Sequence, residues 1–169
     1  MVSGTGGGGM SEMKINELIK EAHENAIEKG FYDKCRRCGG ARYYADISCP
    51  DCGGTGIDQD KNIPGLLMLI VGELSESIEA LRNKKRAPVN FHELEDGGIL
   101  YELEGGKIIR NYSKFSFDEF IKNTFEDEIA DTFIRLADLC GYLKIDIEKH
   151  IKAKIKYNKT RPKKHGKEF

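Results

Sequence analysis

Tryptophan is absent, proline occurs only four times in 169 residues, and the longest unbroken apolar run is the six residues Leu66–Val71. A membrane-crossing helix needs roughly 18 or more such residues, so the sequence predicts no membrane partner. No secretory leader pattern opens the chain either, and the expectation is a cytoplasmic protein. Charge of one sign is also missing. The 27 Lys and Arg nearly balance the 28 Asp and Glu, a net −1 that argues against nucleic acid as a partner. What is present is enough Ile, Leu, Val and Phe for a core, with apolar residues at 39% and charged residues at 33%. Wholesale disorder is therefore excluded, and the length suits one domain carrying a small module.

The balanced total hides an asymmetry. From Lys149 to Phe169 nine Lys or Arg stand against one acid, +8, which leaves the rest of the chain at −9. A cationic end facing an acidic body suits an anionic ligand held beside carboxylates, although a solvated tail has the same composition. At the other end, residues 1–10 are rich in Gly and read as an added flexible leader, leaving 11–169 as the folded domain.

Apolar residues at Ile15, Leu18, Ile19, Ala22, Ala26 and Ile27 recur with the helical period, with Ser11 as a cap and Gly30 as a stop. A second helix is expected from Gly65 to Asn83, striped by Leu67, Ile70, Leu74, Ile78 and Leu81, with Pro64 in its first turn. Helix also dominates 117–143, with a break, after a capping box of Ser116 and Glu119. A last helix spans Ile147–Tyr157 and cannot pass Pro162. Two stretches resist this pattern. Residues 35–56 hold four Cys among repeated Gly, and within 88–115 the runs Ile99–Leu103 and Lys107–Tyr112 alternate apolar and polar residues around Glu104-Gly105-Gly106, a β-hairpin. The predicted fold is all-α, a helical bundle with these two insertions.

Two carboxylate pairs carry the chemistry. Glu73 and Glu76 lie three residues apart on the second helix, and Glu128 and Asp131 repeat that spacing later. Such residues share one helix face. Glu73 and Glu76 continue the row Leu66, Leu69, Glu73, Glu76, Ala80, setting acids among leucines, while Glu79 falls on the outer side. On the later helix Glu128, Asp131, Arg135, Asp138 and Tyr142 form a polar row beside the stripe Phe125, Ile129, Phe133, Leu136, Cys140 and Leu143. Four acids brought together repel one another unless a cation joins them, and hard oxygen donors select Mg²⁺ or Mn²⁺.

Cys35-x₂-Cys38 and Cys49-x₂-Cys52, ten residues apart and each followed by a Gly pair, have the spacing of a tetrahedral Cys₄ zinc site. Zinc there supplies folding energy that so polar a segment cannot obtain by burial. The second half, CPDCGGTG, is similar to a DnaJ-type repeat, and the whole resembles a short zinc ribbon. Cys140 sits on an apolar stripe and reads as a small buried hydrophobe.

The segments LMLIVGELSESIEALR (67–82) and EDEIADTFIRLADLCG (126–141) resemble the ExxE and ExxD halves of MazG-like nucleoside triphosphate pyrophosphohydrolases. HENAIEKGF (23–31) and KIKYNKTRPKKHG (154–166) are similar to that family too, in the family's order. The resemblance covers roughly residues 12–34, 62–87 and 117–169, and neither insertion. It implies an all-α homo-oligomer, a dimer or tetramer, that hydrolyses an NTP or dNTP to nucleoside monophosphate and pyrophosphate. It implies Glu73, Glu76, Glu128 and Asp131 as magnesium ligands, and Lys154, Asn158 and Arg161 as phosphate or sugar contacts; a carboxylate not saturated by metal can serve as general base, and of the four Glu76 is our choice. It places His23 and Phe31 toward the base. Gly72 stands where many members carry a further acid, which leaves the number of metal ions open. Two other readings remain: a phosphoribosyl-ATP or pyrimidine-selective relative, and a non-catalytic zinc-bearing adaptor for nucleic acid or protein.

Overall fold

The computed structural model describes residues 14–44, 46–87, 90–93, 99–103, 105–111 and 114–162. Among them the chain forms α1 (Ile15–Glu28), β1 (Tyr43–Tyr44), β2 (Ile47–Ser48), α2 (Ile63–Arg82), β3 (Asn90–Glu93), β4 (Ile99–Leu103), β5 (Lys107–Asn111), α3 (Lys114–Phe120), α4 (Phe125–Tyr142) and α5 (Ile147–Lys159). Helix dominates, but the two antiparallel sheets make the fold mixed, which corrects the all-α expectation. The expected hairpin is there, with β4 and β5 in register Leu103↔Lys107 and Tyr101↔Ile109. β3 joins β4 on its other edge, Phe91 opposite Tyr101, so the insertion is a three-stranded meander. A lone hairpin is marginal in water, and a third strand with a buried side chain is the usual remedy. Tyr101 supplies it, 0% exposed and 5.4 Å from the Phe120 ring of α3.

The described residues divide into two compact units, 14–31 with 137–162, and 32–136. In the first unit α1 packs on α5. Here α1 ends in a Schellman turn: Gly30, at φ +80°, donates to the Ile27 carbonyl and Phe31 to that of Ala26. The predicted Ser11 cap lies outside the described residues. In its place the Glu17 carboxylate accepts from the Lys14 amide at the helix start.

In the second unit Asn62 caps α2 by accepting from the Gly65 amide at 3.1 Å, worth about 1 kcal/mol. α2 and α4 end in the same Schellman pattern as α1, but with Lys84 (φ +54°) and Lys144 (φ +55°) at the left-handed position. The proposed Ser116 cap fails, because α3 begins at Lys114 and Ser116 lies within it. The working cap is Thr124, whose hydroxyl accepts from the Asp127 amide at 3.3 Å while Asp127 accepts from the Asn123 amide at 2.9 Å.

Burial on α2 also differs from the expectation. Leu67, Leu74, Ile78 and Leu81 are exposed, and the buried row is Ile70, Glu73, Ser77 and Ala80. Likewise Phe133, Leu136 and Leu143 of the expected α4 stripe are exposed, although Cys140 is buried as expected, whereas Glu128 and Tyr142 of the polar row are buried. The small and acidic side chains are the ones covered, and the large apolar ones remain outside within this single chain.

Candidate functional site

The end of α2 is tied to the start of α4, and the tie fixes where their acids meet. The Lys85 carbonyl accepts from the Phe125 amide at 3.1 Å. Glu126 accepts from the Ala87 amide at 2.8 Å and from Arg86 Nε at 2.5 Å. Burial opposes the Glu126 charge, but these two donors outweigh it and hold the carboxyl below the usual carboxylate range. The Arg86 guanidinium also lies over the Phe125 ring.

Glu73, two to three turns back along α2, meets Glu128 and Asp131, about one and two turns into α4, and one carboxylate oxygen from each falls within 4.8 Å of the others. Glu73 is 7% exposed and Glu128 5%. Burial, followed by repulsion from Glu76, Asp127, Glu73 and Asp131, pushes the Glu128 carboxyl up to about 7. Asp131 is raised by burial and by Asp127 and Glu73, against the opposing pull of Arg135. A divalent ion with bonds of about 2.1 Å places its ligand oxygens about 3–4 Å apart, so small side-chain rotations bring all three donors to one ion. The all-oxygen donor set and the uncompensated charge both fit such an ion. Arg135 partly fills that role, its Nε 2.5 Å from Glu73 Oε1.

Glu76, the fourth expected ligand and expected base, is not in this cluster. It is exposed and lines a cavity of about 220 Å³ with Glu79, Ala80, Asn83, Lys85, Asn123 and Glu128. His23 is half-buried, its Nδ1 2.7 Å from Asp138 Oδ1 and its ring tilted against Tyr142. A Cβ on Gly141 would come within 2.7 Å of the His23 Cβ, so this glycine makes room for the imidazole. Phe31 is 70% exposed. Lys154, Asn158 and Arg161 follow one another on and just beyond the exposed α5, with Lys154 and Arg161 both over the Tyr157 ring.

Three contributors escaped sequence reading. Arg135 and Asp138 were visible only as members of a polar row. Thr124 had a signal, an acid three positions on at Asp127, that competed with the similar spacing of Ser116 and Glu119.

The cysteine module forms a second candidate centre. Cys35 Sγ lies 3.8 Å from Cys49 Sγ, and Cys38 Sγ 3.8 Å from Cys52 Sγ. Four sulfurs around one ion at about 2.3 Å stand about 3.8 Å apart, whereas a disulfide would bring a pair to about 2 Å. The four cysteines therefore form a cage compatible with zinc. Burial pushes the Cys52 thiol up, but the Gly56 and Gly54 amides and the Cys49 and Cys38 thiols reverse this and bring it down to about 6. The Gly56 amide donates to Cys52 Sγ at 3.3 Å. Gly56 sits at φ +81°, and a Cβ there would lie 2.8 Å from the Gly40 carbonyl oxygen, so the residue must be glycine. Between the knuckles β1 pairs with β2, leaving Tyr43, Tyr44 and Ile47 exposed. Arg36 and Arg37 have acidic partners in Asp58 and Asp51.

No family model, curated protein or solved structure matches this chain. Among the described residues no helix is long and apolar enough to cross a membrane.

Proposed function

We propose that the protein is a magnesium-dependent nucleoside triphosphate pyrophosphohydrolase of the MazG-like kind, with a structural zinc in its cysteine module. The observation that carries this reading is the convergence of Glu73, Glu128 and Asp131, from two helices far apart in the chain, onto one small volume whose acids are destabilised by one another. A buried acidic cluster of this kind costs stability unless it serves a cation.

Glu73, Glu128 and Asp131 would hold Mg²⁺, which when bound draws charge from the phosphate oxygens and the leaving pyrophosphate. Glu76 stands beside them at the cavity with its carboxylate outside the three-oxygen cluster, suited to take a proton from the attacking water. Attack of that water at the α-phosphorus breaks the bond to the β-phosphate oxygen and yields a monophosphate and pyrophosphate. Lys154 and Arg161 would offset charge on the β and γ phosphates, with Asn158 toward the sugar. His23, held by Asp138, would face the base together with Phe31. A homo-oligomer belongs to the same proposal, and the exposed Leu67, Met68, Leu74, Ile78 and Leu81 of α2 support it.

The test is incubation with each NTP and dNTP in Mg²⁺ and separation of the products. Monophosphate plus pyrophosphate is expected, with loss of turnover in Glu73→Gln and Asp131→Asn variants that remain folded. Diphosphate plus phosphate would place the cut at another bond. No turnover with any nucleotide would favour the adaptor reading, to which the exposed Tyr43, Tyr44 and Ile47 of the zinc module lend their surface.

A further inference from the structure

Among the described residues, Arg135 is the one basic side chain in contact with the three-carboxylate cluster. It projects from α4 one turn beyond Asp131, and its Nε reaches Glu73 Oε1 at 2.5 Å. The two ends of this pair differ in freedom. The Glu73 side chain is 9% exposed and fixed in the helix interface, whereas that of Arg135 is 42% exposed and has room to swing away. Its charge acts on Asp131 as well, opposing the repulsion from Asp127 and Glu73. A single positive charge thus leans on two of the three oxygen donors that a divalent ion would use.

Resting on the hydrolase reading, we propose that Arg135 is a built-in competitor for the metal, which occupies Glu73 in the empty site and transfers to substrate phosphate when nucleotide and metal arrive together. Guanidinium and a divalent ion cannot share Glu73 without repulsion across a few ångströms of partly dry protein, where charges interact several times more strongly than in water. Metal alone must overcome that repulsion. A triphosphate changes the balance, because its oxygens give the guanidinium a bidentate partner at least as good as Glu73. Arg135 is in this sense a positioning residue that couples metal loading to substrate, and the coupling acts in both directions.

Titration of Mn²⁺ into the full-length protein without nucleotide, followed through the electron paramagnetic resonance of free Mn²⁺, tests this directly. Arg135→Gln is expected to bind Mn²⁺ about tenfold more tightly than the parent. Arg135→Lys, which keeps the charge, should stay close to the parent. At saturating Mg²⁺ the Gln variant should show an NTP KM raised about tenfold with kcat within a few-fold, because the guanidinium that would bind phosphate is gone. A scaffolding role predicts the opposite sign, since loss of the guanidinium would let Glu73 drift and weaken Mn²⁺ binding in the Gln and Lys variants alike. Mn²⁺ affinity unchanged or weakened in Arg135→Gln overturns the inference, as does an unchanged KM. Glu73→Gln serves as the control for the parent reading. If the unmodified protein and Glu73→Gln take up Mn²⁺ equally, the carboxylate site itself is refuted, and Arg135 with it.

Discussion

Replacing Glu128 by Gln should strengthen the fold while disabling the site. Glu128 is 5% exposed in the α2–α4 interface, and its carboxyl is pushed from 4.5 to about 7 by burial and by four neighbouring acids. A group whose folded value is raised in this way favours the folded state below about pH 4.5, where both states are protonated, and loses that advantage as pH rises through about 7. Above that range the unmodified protein carries an ionised Glu128. Each tenfold change in proton affinity is worth about 1.4 kcal/mol, so the rise to about 7 sets a ceiling of about 3 kcal/mol on the cost. Solvent access through the adjoining cavity of about 220 Å³ screens part of this, leaving about 2 kcal/mol. Gln keeps the shape and removes the charge. Thermal denaturation of the metal-free protein at pH 8 should show the variant melting about 4–8 °C higher, with the gain shrinking to a degree or two at pH 5. Adding Mg²⁺ should then raise the melting temperature of the unmodified protein and leave the variant unmoved, since only a ligand that binds the folded state stabilises it. A variant less stable at pH 8, or a gain of equal size at pH 5, would refute the account of Glu128 as a carboxylate strained by its neighbours.

Two further outcomes follow from the same geometry. Chelation of the cysteine site, followed by circular dichroism and by thiol titration, should release four reactive thiols together and unfold the 35–56 segment; thiols that react one at a time with no spectral change would show that no shared ion holds them. Gly141→Ala should destabilise the unit containing α1 and α5 by about 1–3 kcal/mol in urea denaturation, because the new methyl meets His23 Cβ at 2.7 Å; a neutral effect would mean that His23 is not seated against α4.

Much of this was legible in the chain. The helical period placed α1, α2, α4 and α5 within a few residues, and the cysteine spacing located the four-sulfur cluster compatible with zinc, because both signals are local. Where signals were illegible, the cause was physical. The helix ends near Asn83 and Leu143 were expected, but the left-handed turns that make them, at Lys84 and Lys144, could not be foreseen, since lysine rarely takes the backbone that usually marks glycine. β3 went unread because its four residues, Asn90–Glu93, pair with β4 through backbone atoms and carry no alternation of their own. Burial on α2 was legible at Ile70, Glu73 and Ala80 but not at the exposed Leu67, Leu74, Ile78 and Leu81, because hydrophobicity indicates which side chains avoid water and not which partner covers them. The carboxylates were found by spacing, but their union with Arg135 is a tertiary fact, set by the tie between Lys85 and Phe125 at the far ends of two helices.

The zinc-compatible module is stitched shut at its neck. Lys34 and Ile57 face one another as an isolated antiparallel bridge, the Cys35 amide donates to the Gly56 carbonyl at 2.9 Å, and the Asp58 amide donates to that of Asp33 at 2.8 Å. Paired backbones run about 5 Å apart, so the chain leaves the module almost where it entered. To the rest of the polypeptide, twenty-odd residues count as a detour of one strand spacing. A lobe attached this way is a pendant: changes of length within it leave the spacing between Asp33 and Asp58 at its neck untouched.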